Sequence, residues 1–179
     1  MTFSGAVLAG GRSSRFTQDK AEYLYRGKPL AAWVLESLAH ADERFIVSNR
    51  PYNFGMPVYP DRYPGSSLGG LHAALTHAAH DWVAVAACDM PFLTTAYWDE
   101  LLKRSGGARA VVVTGPDGHP EPLAALYHKS LAGLAERQLE AGDLKLQTFV
   151  AAAAHLVPWQ ELGVAEQTFL NANRLSELP

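Results

Sequence analysis

Three stretches of this chain carry residue types that could hold and react with a polyphosphate. The first is Leu8-Ala9-Gly10-Gly11-Arg12-Ser13-Ser14-Arg15, followed by Asp19-Lys20. Adjacent glycines let a ligand approach the backbone closely, and successive N–H groups can cradle anionic oxygens. Two serines, two arginines and a lysine between Gly11 and Lys20 add donors and positive charge suited to phosphate. The spacing is not that of a Walker A loop, since no Gly-Lys-Ser/Thr follows, nor that of a G-x-G-x-x-G fingerprint. A Gly-Gly pair alone reads as a surface turn, and the density of donors beside it favours an anion site.

The second stretch is the corner Cys88-Asp89-Met90-Pro91. A carboxylate directly after an apolar run is placed to hold Mg²⁺, a hard cation bound by one or two carboxylates plus substrate phosphates. A capping or turn aspartate is the alternative. The third stretch runs Asp61-Arg62-Tyr63-Pro64-Gly65-Ser66-Ser67-Leu68-Gly69-Gly70, rich in turn formers and leading into a helix whose N-terminus can face an anion. Near the C-terminus, Asn171 and Asn173 would place two amides on one face of an extended segment, or form a turn or helix cap.

Other reactive types do not assemble. His77 and His80 share a helix face, but His72 falls on another sector and no carboxylate completes a metal site, so all three read as surface or satisfied polar residues. Cys88 reads as a small buried hydrophobe. Trp33, Trp82, Trp98 and Trp159 read as packing rather than as a base-stacking platform, because the chain lacks the basic surface such platforms need. The net charge of −3 disfavours nucleic-acid binding. A single cysteine excludes an intrachain disulfide and a cysteine zinc cluster, and suits a reducing compartment. The start MTFSGAVLAGG has no basic n-region, and no run reaches the ~20 apolar residues of a membrane span. The expectation is a soluble, cytoplasmic protein with no membrane partner.

Elements able to position these groups follow from periodicity. Short apolar runs predict strands over Phe3–Leu8, Phe45–Ser48, Met56–Tyr59, Trp82–Cys88, Ala110–Thr114, Leu123–Tyr127 and His155–Pro158. Helical spacing predicts helices over Leu30–Leu38, Leu71–Ala79, Ala96–Leu102, Leu131–Glu140 and Leu144–Ala153, with Pro29 in a first turn and Thr94 or Thr95 as an N-cap. Such alternation argues for an α/β fold: a single Rossmann-like domain over residues 1–179, with a mostly parallel sheet covered by helices on both faces. Leu123–Tyr127, after the Pro116-Asp117-Gly118 turn, is the expected antiparallel member. Ligands of such sheets sit beyond the carboxyl ends of the strands, where the loops after Leu8 and Tyr59 and the Asp89 corner all fall.

In order and spacing these segments resemble the molybdenum cofactor guanylyltransferases, the MobA family within the nucleotidyltransferase (nucleotide-diphospho-sugar transferase) fold. The resemblance rests on Leu8-Ala9-Gly10-Gly11…Arg15…Asp19-Lys20, Gly27-Lys28-Pro29-Leu30, Asn49-Arg50, Asp61…Leu68-Gly69-Gly70 and Ala87-Cys88-Asp89-Met90-Pro91-Phe92. Pro122-Leu123…Ala125-Leu126-Tyr127 and Phe169…Asn171…Asn173 extend it to nearly the whole chain. Departures are Phe16-Thr17 for Met-Gly, Ser66-Ser67 for Gly-Pro and Arg174-Leu175 for Thr-Pro.

The resemblance implies transfer of GMP from GTP to the phosphate of a molybdenum-bound pterin, with release of pyrophosphate. It implies catalytic roles for Lys20, Arg15 and Asp89, with Mg²⁺ on Asp89. It implies a nucleotide site of Leu8, Ala9, Gly10, Gly11, Lys20, Asn49, Asp61 and Asp89, an acceptor side of Asn171 and Asn173, and partner proteins of molybdenum cofactor synthesis. Gly10 matches the guanylyl-transferring pattern Leu-Ala-Gly-Gly, where cytidylyl-transferring relatives resemble Leu-Ala-Ala-Gly. The alternatives are a sister enzyme using CTP or a sugar-phosphate acceptor, and a non-catalytic nucleotide-binding regulatory domain. Retention of both Lys20 and Asp89 argues against the second.

Overall fold

Strand β1 (Ser4–Leu8) is buried along almost all its length and hydrogen-bonds in parallel on both sides, to β4 (Glu43–Val47) and to β6 (Trp82–Ala87). It is the organising strand of a computed structural model that describes residues 1–10 and 19–173. Among these residues the main sheet has seven strands in the order β5-β4-β1-β6-β8-β7-β9, completed by β5 (Val58–Tyr59), β7 (Ala110–Thr114), β8 (Ala124–His128) and β9 (His155–Pro158). Only β8 runs against the others, pairing antiparallel with β6 and β7. That is the strand expected to do so after the Pro116-Asp117-Gly118 turn.

Side-chain alternation divides the core between the two faces. Val7, Ile46, Ala84, Ala86, Val111 and Val113 face α1 (Leu30–Ser37) and α3 (Thr95–Lys103), packing with Val34, Leu35, Tyr97 and Trp98. Their neighbours Ala6, Phe45, Val47, Val83, Val85 and Val112 face α2 (Ser67–His77), α4 (Ala132–Glu140) and α5 (Leu146–Ala153). Strands buried on both faces read as near-continuous apolar runs, which is why WVAVAAC shows no polar alternation. The indole of Trp98 is fully buried and its Nε1–H donates to Ser37 Oγ at 3.1 Å. The reading of tryptophan as packing therefore holds at this position.

Local chemistry sets the element ends. Thr94 caps α3, its hydroxyl accepting the Tyr97 N–H at 3.2 Å. Pro29 sits one residue before α1 rather than inside its first turn, because it closes a small hairpin that periodicity does not reveal. In that hairpin β2 (Leu24–Tyr25) pairs with β3 (Lys28–Pro29), and the intervening Arg26 and Gly27 both have positive φ, 48° and 77°. Two such residues in succession make the tight turn whose twist suits a two-residue hairpin. Helix α2 begins at Ser67, four residues before the expected Leu71, because Ser66 supplies the cap and the two glycines lie inside the helix.

One histidine is not a surface residue. His72, on the inner face of α2, is 6% exposed, with the Tyr63 ring edge-on at 5.2 Å and Glu136 Oε1 of α4 at 4.0 Å from Nε2. Its Nδ1 has no hydrogen-bond partner among the described residues. Burial lowers its pKa from the ordinary 6.5, and Arg62 and His77 act in the same direction, while Glu136 and Asp61 oppose them. The unfolded chain therefore binds a proton below pH 6.5 that the folded chain resists, so this group's stabilisation is present above pH 6.5 and is lost as pH falls through the lower folded value. Replacing His72 by Gln should flatten the loss of stability between pH 7 and pH 5, as read from urea unfolding midpoints. An unchanged pH slope in His72→Gln would show that His72 is not the titrating group.

Candidate active site

The strand order reverses between β1 and β6, a switch point of the kind beside whose carboxyl ends such sheets form a ligand crevice. The ladder continues one residue past each strand: Ala9 N–H donates to Val47 O at 3.0 Å, and Cys88 N–H donates to Leu8 O at 3.1 Å. At the next position the first loop turns away, with Gly10 at φ +83°. A Cβ there would lie 2.8 Å from the buried Ser48 Oγ, so the turn itself demands glycine. The Leu-Ala-Gly-Gly pattern thus has a backbone reason for its first glycine, whatever base the site takes. Gly11 and Arg15 lie outside the described residues, as do Phe16-Thr17 and Arg174-Leu175.

Across the crevice, Asp89 follows β6 with its side chain 20% exposed, and Lys20 Nζ stands 3.3 Å from Asp89 Oδ2. Lys20 opens a short 3₁₀ turn, Lys20–Glu22, capped by Asp19, whose Oδ1 accepts the Ala21 N–H at 3.0 Å. The two residues that sequence reading joined through phosphate chemistry are therefore in direct contact. The adjacent Cys88 belongs to the core, and burial pushes its thiol up to about 12. At that value it is a thiol rather than a thiolate near neutrality, so it is no nucleophile.

The third stretch closes the same edge. Asn49 forms a reciprocal pair with the backbone of Asp61: its Nδ2–H donates to Asp61 O at 3.1 Å, and its Oδ1 accepts Asp61 N–H at 2.8 Å. Asp61 Oδ1 accepts the Tyr63 N–H at 2.7 Å. Burial raises the Asp61 carboxyl above its ordinary range, with the Tyr63 N–H and His72 opposing. Ser66 Oγ accepts the Gly69 N–H at 3.1 Å to start α2. Gly69 is required there, since a Cβ would lie 2.1 Å from the Tyr63 carbonyl oxygen. Gly70 lets α2 settle on Leu8, whose Cδ1 would be 3.2 Å from an added Cβ.

Asn171 and Asn173 also reach this edge, though not along an extended segment. Ala172 N–H donates to the Asp89 carbonyl at 2.9 Å, tying the C-terminal stretch to the Asp89 corner. Asn171 Oδ1 accepts the Asn173 N–H at 3.1 Å, an Asx turn, so spacing of two reflects a turn rather than a strand face. Three supporting side chains were not singled out by sequence chemistry. Ser48 accepts the Arg50 N–H at 2.9 Å, while Tyr52 O–H (2.5 Å) and the Arg50 guanidinium (3.0 Å) both reach Asp19 Oδ2. The available signal was Asp19 itself, a carboxylate directly before the key lysine.

Among the described residues no three His, Cys, Asp or Glu side chains gather as a metal cage. What the edge offers a metal is Asp89, a partly exposed carboxylate just after a strand, which fits a cation held chiefly through substrate phosphates.

A family model for the MobA-like NTP transferase domain matches residues 5–157. The chain belongs to this family. A Deinococcus radiodurans protein named "Probable molybdenum cofactor guanylyltransferase" is 37% identical, over 99% of this chain and 93% of its own length. A Pyrococcus furiosus protein of the same name is 33% identical over 97% and 93% respectively. The crystal structure of molybdopterin-guanine dinucleotide biosynthesis protein A from Archaeoglobus fulgidus superposes with a TM-score of 0.83 at 27% identity, covering 97% of this chain and 94% of that one. The expected family and the mostly parallel nucleotidyltransferase fold are both borne out. Among the described residues, no helix of this MobA-like chain is long and apolar enough to cross a membrane.

The glycine contacts give a direct test of how the MobA-like edge is assembled. Gly69→Ala should destabilise the chain by about 1–3 kcal/mol, because Ala adds a methyl against a backbone carbonyl even though it raises helix propensity. Gly70→Ala should cost less, since the flexible end of Leu8 can move. Urea unfolding of both variants checks the order, and equal or inverted losses would contradict this packing.

Proposed function

We propose that this chain transfers GMP from GTP to the terminal phosphate of a molybdenum-bound pterin. The observation that carries the reading is the Lys20–Asp89 pair at 3.3 Å in the β1/β6 crevice of a MobA-like chain. A mere nucleotide binder needs no cation and carboxylate set against each other at the end of the two central strands. In the reaction an acceptor phosphate oxygen forms a bond to the α-phosphorus of GTP. The bond from that phosphorus to the bridging oxygen breaks, and pyrophosphate leaves with the electron pair.

Lys20, with Arg15 from the loop, would neutralise charge building on the triphosphate and leaving pyrophosphate. The backbone at Leu8, Ala9, Gly10 and Gly11 would hold the nucleoside. Asn49 acts through the loop it fixes, and Asp61 would face the guanosine from that loop. Asn171 and Asn173, tied to Asp89 through Ala172, would line the acceptor side. Asp89 would hold Mg²⁺, which when bound supplies positive charge to phosphate oxygens. The remainder is positioning, with no covalent enzyme intermediate.

Asp89→Asn should lower transfer about a hundredfold or more while leaving the unfolding midpoint near that of the parent, because the backbone bond to Ala172 survives. Wild-type-like turnover in Mg²⁺ would remove Asp89 from the site. The nucleotide is tested by pyrophosphate release from GTP, CTP, ATP and UTP, with and without the molybdenum-pterin acceptor. GTP with acceptor should be preferred. Equal use of CTP would favour a sister nucleotidyltransferase. The parent chain is the right protein for this assay, since Gly10→Ala would report backbone strain and the Ser48 contact as well as base choice.

A further inference from the structure

Lys20 stands on a turn of three residues, so where its side chain starts from depends on how that turn is held. Asp19 secures that turn. Its Oδ1 accepts the Ala21 N–H at 3.0 Å, and its backbone oxygen accepts the Glu22 N–H at 3.2 Å. Its Oδ2 receives the Tyr52 O–H at 2.5 Å and the Arg50 guanidinium at 3.0 Å. The Asp19 side chain is 10% exposed, whereas Arg50 is 62% exposed, so the ion pair is open to solvent and salt on the arginine side. The half-buried Tyr52 is held more firmly, its ring stacked on Phe54 with centroids 5.7 Å apart and planes 23° apart. Burial, then Asp19 itself, raises the Tyr52 pKa above the ordinary 10.0, so the hydroxyl keeps its proton and remains a donor.

We propose that Tyr52 is a positioning residue whose hydroxyl, acting through Asp19, sets where the Lys20 ammonium stands against Asp89. Its geometric content is independent of the proposed reaction; its catalytic consequence rests on that reading. Tyr52 is far from Lys20 in sequence, on the stretch after β4. It therefore ties the turn after the first loop to the neighbouring strand's loop.

Tyr52→Phe keeps the ring and its stacking on Phe54 and removes only the hydroxyl. In the nucleotide-free full chain, competitive acetylation read by mass spectrometry should show Lys20 reacting several-fold faster than in the parent. Lys28, Lys103 and Lys129 should be unchanged. Equal Lys20 reactivity in the two chains would overturn the proposal. In GTP-dependent pyrophosphate release, Tyr52→Phe should lower kcat about tenfold, and that loss should vanish in a Lys20→Ala background. A loss that persists undiminished beside Lys20→Ala would place the effect of Tyr52 elsewhere and overturn its action through Lys20. If lysine labelling responds as expected but GTP yields no pyrophosphate, the positioning role stands and the proposed transfer falls.

Discussion

The parallel pairing of β1 on both sides is the constraint from which the rest of the edge follows. Its register aligns Leu8 with Val47 of β4 and with Ala87 of β6, and Val47 in turn aligns with Tyr59 of β5. These four residues form one row across the sheet. The residues that follow them open the phosphate-type loop, the Ser48-Asn49-Arg50 stretch, the Asp61 loop and the Cys88-Asp89 corner. The carboxyl halves of these parallel strands are buried or nearly so and carry no charged group, so chemistry begins in the residues just beyond. The crossovers then matter. Helix α1 packs on one face and α2 on the other, and the strand order reverses beside β1, the place at which such sheets take their ligands.

Loops leaving one row would still be free to separate, and short polar and steric contacts prevent that. Asn49 holds the Asp61 backbone at both its donor and its acceptor. Ala172 holds the Asp89 carbonyl, Gly69 brings α2 against Tyr63, and Gly70 brings it against Leu8. The contacts join segments distant in sequence, and several use backbone groups, which cannot swing away as side chains do. The edge is thereby preorganised before any ligand arrives, as a site relying on positioning rather than covalent chemistry requires.

The fold was legible because both of its periodicities are strong. All-apolar runs marked the buried strands, and the Pro116-Asp117-Gly118 turn marked the reversal into β8. The hairpin at Arg26-Gly27 was not legible, because strands of two residues carry no period. The start of α2 was misplaced because adjacent glycines ordinarily break a helix, whereas here close approach to a carbonyl and to Leu8 outweighs their conformational cost. His72 was missed for a related reason. Its burial arises from packing between α2, α4 and Tyr63, which no pattern on one helix contains. At the site, charged residues beside a strand end were legible, and their supports were not. Tyr52 reads as an ordinary aromatic until the fold sets its hydroxyl against Asp19.

Charges alternate across the edge in the order Arg50, Asp19, Lys20, Asp89, but their attachments are unequal. Asp19 is enclosed by a backbone N–H, a tyrosine hydroxyl and a guanidinium, all at 3.0 Å or less. The Lys20–Asp89 contact is longer at 3.3 Å, and both of its side chains are 20% exposed. Enclosure by three donors stabilises a carboxylate in place, whereas a partly exposed ion pair contributes little to stability and is readily exchanged. In the proposed transfer, an arriving polyphosphate would compete for the ammonium with several anionic oxygens. With Lys20 turned to those oxygens, the Asp89 carboxylate would be more open to another cation. The fixed acid holds the turn that carries the lysine, while the exchangeable acid would meet the ligand. That division follows from two aspartates in different surroundings, one anchored at 10% exposure and one open at 20%.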